Sequence, residues 1–196
     1  MINNIDTSEF RSTEYDVDGI FPERWSPRAM NGESLNEATL NHLFEAARWA
    51  PSAFNAQPWR FVYATRDSQH WDSFFGLLVE ANQSWCARAG ALIVLLSRHL
   101  FEHNDSPMKT HALDSGAAWQ NLALQGARMG LVVHGMQGFD YDAARTAVNA
   151  PEEFTVQMMM AVGHPGPVSA LSESQQGREQ PSPRKAVAEI SFAGSF

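Results

Sequence analysis

The sequence predicts an α+β fold in which helices pack against the faces of a single sheet. Segments with helical spacing of apolar residues interleave with strand-like runs, about five of the first kind and three or four of the second. A length of 196 residues fits one domain. With 44% hydrophobic and 18% charged residues, the chain has the composition of a protein that buries a core. We therefore expect a single domain over residues 1–196.

The first helix predicted with a defined start and end covers residues 35–50. Ser34 and Glu37 stand three positions apart, as in the capping box of a helix N-terminus. Pro51 ends the pattern because its ring clashes with the preceding helical turn. Apolar side chains recur between them at helical spacing, at Leu40, Leu43, Phe44 and Ala47.

The remaining elements follow from the spacing of apolar residues and from turn-forming residues. Strands are predicted at residues 59–64, 91–97, 131–134 and 155–162. Further helices are predicted at residues 69–81, 109–129 and 140–149. We expect less regular structure in an N-terminal arm or short helix (1–22), a polar loop (98–109), an extended connection (165–183) and a C-terminal tail (184–196).

Composition and charge exclude several classes of protein. A formal charge of −8 repels phosphate backbones, so we expect no nucleic-acid partner. The single cysteine, Cys86, excludes an internal disulfide and a multi-thiolate metal site. The longest apolar run, residues 91–96, is too short to span a membrane, and the polar N-terminal residues lack a secretory pattern. We therefore expect a cytoplasmic protein without a membrane partner.

Common catalytic and nucleotide-binding motifs are absent from the sequence. It contains no G-x-S-x-G, G-x-G-x-x-G or G-x-x-x-x-G-K-[ST] pattern, which disfavours a serine hydrolase, a dinucleotide-binding domain of its own and a P-loop. His99 and His103 are four residues apart and have acidic neighbours, so a metal-dependent hydrolase stays open as an alternative. A solvated loop with incidental histidines explains the same residues.

The distribution of positive charge suggests an anion site. Arg24 and Arg28 lie on either side of Ser26, and Arg184 stands beside Lys185 in a stretch free of acidic residues. Guanidinium groups bind phosphate oxygens in pairs, so these segments are two candidate halves of one site. Charge that only keeps the surface soluble is the alternative.

A loop at residues 51–58 carries polar groups between two predicted elements. Ser52, Asn55 and Gln57 lie between Pro51 and Pro58, where amides can both donate and accept hydrogen bonds. A planar heterocycle with alternating donors and acceptors suits such a loop. A purely structural loop also uses Pro and Asn.

Taken together, these segments resemble the nitroreductase family from about Arg24 to Ile190. Each resembles a family motif and they occur in the family's order. They are Arg24-Trp25-Ser26-Pro27-Arg28, the run AARWAPSAFNAQPW from Ala46 to Trp59, GLVVHGMQGF from Gly130 to Phe139, Val162-Gly163-His164-Pro165, and Arg184. The resemblance implies a nitroreductase-like three-layer α/β/α sandwich with a mixed, mostly antiparallel sheet, in an entwined homodimer with FMN at the subunit interface.

The resemblance also implies roles for individual residues. Arg24, Ser26 and Arg184, helped by Lys185, would hold the phosphate and ribityl end of FMN. Trp25 belongs to the same cofactor-binding motif. Pro51 and Ser52 would come from the other subunit.

The flavin ring would be contacted by a second group of residues. Arg28, Asn55 and Gln57 would meet its pyrimidine edge, where a cation stabilises the reduced flavin. Gln137 and Gly138 would lie at N5, with the Gly138 N–H as a donor. Gln137 replaces the glutamate of many relatives. No catalytic side chain and no metal ligand is expected.

The function implied is an FMN-dependent oxidoreductase with ping-pong turnover. NAD(P)H would deliver hydride to flavin N5 and leave, and a small acceptor such as a nitroaromatic or a quinone would then take the electrons. The protein would contribute orientation of the reactants. The alternatives are a flavin-binding or flavin-storage protein of the same fold without rapid turnover, and the metal-dependent hydrolase using His99 and His103.

Overall fold

Four antiparallel strands form the centre of the structure, a computed structural model that describes residues 5–196. In the order β1-β2-β4-β3, each strand pairs antiparallel with its neighbour. The strands are β1 Trp59–Thr65, β2 Ala91–Arg98, β3 Val132–Met136 and β4 Phe154–Gly163. The predicted α+β fold is confirmed. Every strand pairing among the described residues is antiparallel. These pairings account for the antiparallel part of the mixed sheet that the resemblance implies.

Seven α-helices accompany the sheet in the described part of the chain. They are α1 Ile20–Glu23, α2 Glu37–Arg48, α3 Trp71–Phe75, α4 Glu80–Cys86, α5 His111–Arg128, α6 Tyr141–Ala147 and α7 Glu173–Gln176. Single 3-10 turns lie at Thr7–Glu9, Ala53–Asn55, Val168–Ala170 and Val187–Glu189. Of the predicted N-terminal arm, residues 1–4 lie outside the described residues. None of the helices within residues 5–196 has the length and apolar character needed to cross a membrane.

Two core clusters, one on each face of the sheet, produce the three layers. Strand β2 alternates between them: Leu92 and Val94 join the cluster with α3, α4 and α6, whereas Ile93 and Leu95 join the cluster with α2 and α5. All four side chains are at most 1% exposed. This double burial explains why the run at 91–96 is apolar at every position instead of alternating.

The single helix predicted at 69–81 is wrong. The structure has two helices there, α3 and α4, separated by a short extended stretch in which Leu78 pairs with Phe139. The Val79 N–H donates to the Gly138 carbonyl and the Asp140 N–H to the Leu77 carbonyl. These long-range backbone hydrogen bonds replace helical ones, so tertiary pairing overrides the local helical spacing of apolar residues.

The prediction of an extended connection at 165–183 is wrong in part. The segment contains a 3-10 turn and α7, whose N-terminus has a capping box between Ser172 and Gln175. It is also packed against the domain, since Leu171, Gln175 and Glu179 are buried. Its Pro, Gly and Ser residues therefore form turns and caps in a segment that contributes to the core.

Helix α5 approaches β3 so closely that one position accepts only glycine. A Cβ added to Gly126 would lie 2.4 Å from Val133 Cγ2 and 3.7 Å from Leu43 Cδ2. Valine is stiff at χ1, so it cannot easily move away.

We predict that Gly126→Ala lowers the free energy of unfolding. Overpacking costs about 1–3 kcal/mol, which exceeds or offsets the gain of about 1 kcal/mol in helix propensity. Chemical denaturation measures the change, with Arg128→Ala, exposed in the same helix, as the control expected near wild type. A clearly stabilised Gly126→Ala variant would contradict the close packing of α5 on β3.

Candidate functional site

The sheet order separates the predicted site residues into two groups. Pro27 lies against β3, because its carbonyl accepts a hydrogen bond from His134 Nδ1 at 2.9 Å, and Gln137 directly follows β3. The loop 51–57 leads into β1, the strand at the opposite edge of the sheet. Three strand spacings, about 14 Å, separate the two edges.

The segment around Arg24–Arg28 is fixed by backbone contacts with the end of β4. Met30 pairs with Pro165, the Asn31 N–H donates to the His164 carbonyl, and the Gly166 N–H donates to the Ala29 carbonyl. These contacts hold the chain of residues 24–28 along the β3 edge.

Within this segment, Arg24 Nη1 donates to Ser26 Oγ at 3.2 Å. The Arg28 side chain is 30% exposed, and its Nη1 lies 3.7 Å from Glu179 Oε2. Trp25 is only 4% exposed, so this residue belongs to the core and offers little surface to a ligand.

Arg11, Arg24 and Arg184 form an arginine cluster at this edge. Burial and then the positive charge of Arg184 hold the pKa of both Arg11 and Arg24 below the usual value, and Arg24 adds to the effect on Arg11. Among the described residues, none of the three has a carboxylate partner within 4.0 Å. The structure therefore brings together Arg24 and Arg184, which are 160 positions apart (184 − 24), without a protein anion to neutralise them.

Arg11, which is not predicted from the sequence, connects the parts of the cluster. Arg11 Nη1 donates to the Pro22 and Arg24 carbonyls at 2.8 and 2.9 Å, and Nε donates to the Ser182 carbonyl at 2.8 Å. No motif marks this arginine, because its partners are backbone atoms.

An open groove of about 700 Å³ runs beside the cluster. Its polar part contains three basic residues, Arg11, Arg184 and Lys185, together with one acidic residue, Glu14, and the hydroxyl groups of Ser12 and Thr13. Its apolar part includes side chains that are largely exposed, namely Phe10, Tyr15, Val17, Phe21, Val187 and Ile190. The groove thus offers positive charge beside an uncovered apolar surface.

Gly138 presents a backbone donor at the same edge. Its carbonyl accepts from Val79 N–H at 3.1 Å and from Asn82 Nδ2 at 2.9 Å, which fixes the orientation of the residue. Its own N–H donates to none of the described residues. A Cβ here would lie 2.6 Å from Asn82 Nδ2, so the site is built around glycine. The preceding Gln137 is exposed.

The loop 51–57 holds three non-glycine residues in the left-handed region. Phe54, Asn55 and Gln57 have φ values of 51°, 54° and 48°. The loop is braced by the Ala53 N–H, which donates to Asp114 Oδ2 at 3.0 Å, and by the Gln57 N–H, which donates to Ser52 Oγ at 3.0 Å. Backbone strain of this kind concentrates at functional sites.

The exposed residues of this loop are Pro51, Phe54 and Asn55. Phe54 is 90% exposed and contacts Phe101 edge to face. The Asn55 side chain makes no hydrogen bond with residues 5–196, so its amide is available to a ligand. The loop is therefore rigid in its backbone and open in its side chains.

The metal alternative finds no support in the described residues. Nowhere in residues 5–196 do three His, Cys, Asp or Glu side chains gather as metal ligands. His99 Nδ1 instead lies 3.3 Å from Thr155 Oγ1, and His103 packs on Phe101.

His134 is an uncharged histidine beside the arginines. Burial lowers its pKa to about 4, and the charges of Arg28 and Arg24 contribute in the same direction. Because the Pro27 carbonyl can only accept, Nδ1 carries the proton of the neutral ring. The residue thus anchors the 24–28 segment without adding positive charge.

Comparison with known proteins gives consistent matches. A family model described as the nitroreductase family matches residues 22–76 and 67–164. A Streptomyces coelicolor protein named "Putative NADH dehydrogenase/NAD(P)H nitroreductase" is 29% identical over 152 residues, covering 67% of this chain and 74% of that protein.

Solved structures match over nearly the whole chain. A structure described as an oxidoreductase containing FMN is 41% identical, with a TM-score of 0.91 and coverage of 95% of this chain and 96% of that one. A nitroreductase family protein from Streptococcus pneumoniae is 20% identical and shares the fold, with a TM-score of 0.70 and coverage of 89% and 98%.

We predict that His134→Asn reduces the acid sensitivity of the fold. In the unfolded chain this histidine binds a proton below about pH 6.5, whereas in the folded chain it stays neutral down to about pH 4. The fold therefore loses stability as the pH falls through this window. The Asn side chain keeps an N–H donor for the Pro27 carbonyl. Relative to the His134→Asn variant, wild type should lose about 2–3 kcal/mol of its free energy of unfolding between pH 6.5 and 4.

Chemical denaturation at several pH values measures this difference. The exposed His164 provides the control, and His164→Asn should follow the wild-type profile. Parallel profiles for wild type and His134→Asn would contradict the assignment of a buried neutral histidine.

Proposed function

The chain belongs to the nitroreductase family, and we propose that it is an FMN-dependent oxidoreductase that acts as a homodimer, with FMN between its subunits. The observation that carries the proposal is the arginine cluster. Like charges repel, and Arg11, Arg24 and Arg184 have no carboxylate partner among the described residues. A bound phosphate would supply the missing negative charge.

The residues of this edge fit FMN at both of its ends. Arg24, Ser26 and Arg184 would hold the phosphate and ribityl chain, with Lys185 contributing charge, because guanidinium forks bind phosphate oxygens in pairs. The relative described as containing FMN, 41% identical to this chain, supports this choice of anion.

Gly138 and Arg28 would contact the ring system. The Gly138 N–H has no acceptor among the described residues and its carbonyl is fixed, so the donor is oriented in advance. Arg28 would place positive charge at the pyrimidine edge, and Gln137 would lie beside the donor without adding the negative charge of a glutamate.

When bound, FMN supplies the redox chemistry by accepting hydride from NAD(P)H and passing electrons to a small acceptor such as a nitroaromatic or quinone. The protein positions the reactants and needs no nucleophile or metal of its own. The Streptomyces coelicolor relative, whose name includes NAD(P)H, supports this donor.

The division of the site residues between two edges supports a dimeric site. Within one chain, the loop 51–57 and Gly138 lie on opposite edges of the sheet, about 14 Å apart across it. A second copy related by a two-fold axis would supply its own Pro51 and Ser52 to this site. Asn55 and Gln57 of that loop would meet the pyrimidine edge.

Spectroscopy of the purified protein tests the proposal. We expect a flavin absorption spectrum, bleaching by NADPH or NADH under anaerobic conditions, and recovery of the colour on adding a quinone or nitroaromatic. A yellow protein that neither nicotinamide reduces would favour a flavin-storage role. A protein that binds no FMN would refute the proposal.

We predict that Arg24→Ala and Arg184→Ala each weaken FMN binding by about 10- to 100-fold, because each removes a charge-assisted hydrogen bond to phosphate. Quenching of flavin fluorescence gives the dissociation constants. Arg178→Ala is the control, since this arginine is exposed and bonds only to the Ser174 carbonyl among the described residues. Wild-type affinity in the Arg24 variant would remove that residue from the site.

We further predict that Gly138→Pro slows reduction of the bound flavin more than Gly138→Ala does. Both substitutions add a Cβ near Asn82 Nδ2, but only proline removes the N–H. Stopped-flow absorbance separates the steric effect from loss of the donor. Equal rates in the two variants would show that the Gly138 N–H does not contribute.

A further inference from the structure

A buried carboxylate lies next to Arg28. Glu179 follows α7, and its side chain has no exposed area. No sequence motif assigns this residue a role. Burying a carboxylate is costly unless hydrogen bonds and opposite charge compensate, so its partners indicate what it contributes.

The two oxygens of Glu179 have different surroundings. Oε1 accepts from the backbone N–H of Arg28 at 2.6 Å and from that of Ala29 at 2.8 Å. Oε2 is buried and accepts no hydrogen bond from residues 5–196. Arg28 Nη1 lies 3.7 Å from Oε2. The carboxylate therefore binds the backbone of Arg28 through a hydrogen bond. It interacts with the Arg28 guanidinium only through charge.

The geometry leaves Arg28 free to engage a ligand as well. A charge-assisted N–H···O bond is about 2.7–2.9 Å long, so the 3.7 Å contact does not commit a donor to Glu179. The Arg28 side chain is 30% exposed, whereas the Glu179 side chain is fully buried. Of the two side chains, only that of Arg28 can reach a bound molecule. The negative charge of Glu179 lies beside its guanidinium on the buried side.

We propose that Glu179 is a positioning residue for Arg28 that also offsets part of its positive charge, and thereby lowers the reduction potential of the bound FMN. The inference rests on the proposed function, in which Arg28 meets the pyrimidine edge of FMN. A cation there favours the reduced cofactor, which carries more negative charge. The buried carboxylate opposes this effect, and it does so strongly because water does not screen it.

The substitution Glu179→Gln tests the proposal, since it removes the charge but keeps the size and an oxygen for the two N–H donors. We expect the preference for reduced over oxidised FMN to rise about tenfold, a positive shift of about 30 mV for a two-electron couple. Reductive titration against a reference dye measures the midpoint potential of the holoprotein.

Glu173→Gln is the matched control. Glu173 is exposed in the same segment, so its substitution removes one negative charge without touching the Arg28 contacts. Its potential should equal that of wild type. A shift of the same size in this control would assign the effect to net charge and overturn the proposal.

The result for Glu179→Gln decides between tuning and a purely structural role. An unchanged or more negative potential overturns the proposal, even if the melting temperature falls. If this variant does not fold, the midpoint potential of Arg28→Gln is compared with that of the double variant Arg28→Gln and Glu179→Gln, which lacks both charges. The same positive shift is expected there, and no shift overturns the proposal. Failure of wild type to bind FMN would refute the proposed function instead.

Discussion

Two arginines near the N-terminus, Arg11 and Arg24, lie close to Arg184 near the C-terminus, and the repulsion among their positive charges is the constraint on which the site depends. The pKa values of Arg11 and Arg24 are lowered by burial and by the charge of Arg184. A protein that needed these arginines only for solubility would spread them over its surface. Their convergence is stabilised by backbone carbonyls that Arg11 bonds, and a bound phosphate would remove the repulsion that remains.

The β3 edge combines this positive region with groups that would recognise a flavin ring. His134 anchors the 24–28 segment as a neutral donor, so the segment gains a fixed position without further repulsion. Gly138 offers an oriented N–H on the same side. The strained loop 51–57 lies at the other edge, where Phe54 is exposed and the Asn55 side chain makes no hydrogen bond with residues 5–196. The two-fold dimer that we propose would bring these two edges together in one site.

Much of the fold follows from local sequence signals. Strand β2 was predictable because both of its faces are buried, and the existence of α2 because its apolar residues recur at helical spacing. The predicted capping box of Ser34 and Glu37 is wrong, because Asn36 is the N-cap of α2 and Ser34 Oγ donates to Asp67 instead. The break between α3 and α4 was not predictable, since it depends on pairing between Leu78 and Phe139, which are 61 positions apart (139 − 78). Local periodicity contains no information on such contacts.

The candidate site divides in the same way. Arg24, Asn55 and Gly138 stand in motifs and were found from the sequence, although their roles stay predictions. Arg11 and Glu179 were not found, because each acts through backbone atoms of remote segments. The Arg28 to Glu179 contact spans 151 positions. No sequence motif near either residue indicates this charge pair, which we propose tunes the reduction potential of the cofactor.

Native mass spectrometry of the purified protein tests most directly whether paired chains enclose FMN at the arginine cluster. We expect an assembly of two chains carrying two FMN molecules, with the cofactor released when the chains separate. A single chain that retains FMN would contradict the shared site, and a dimer that takes up no FMN would contradict the cofactor itself.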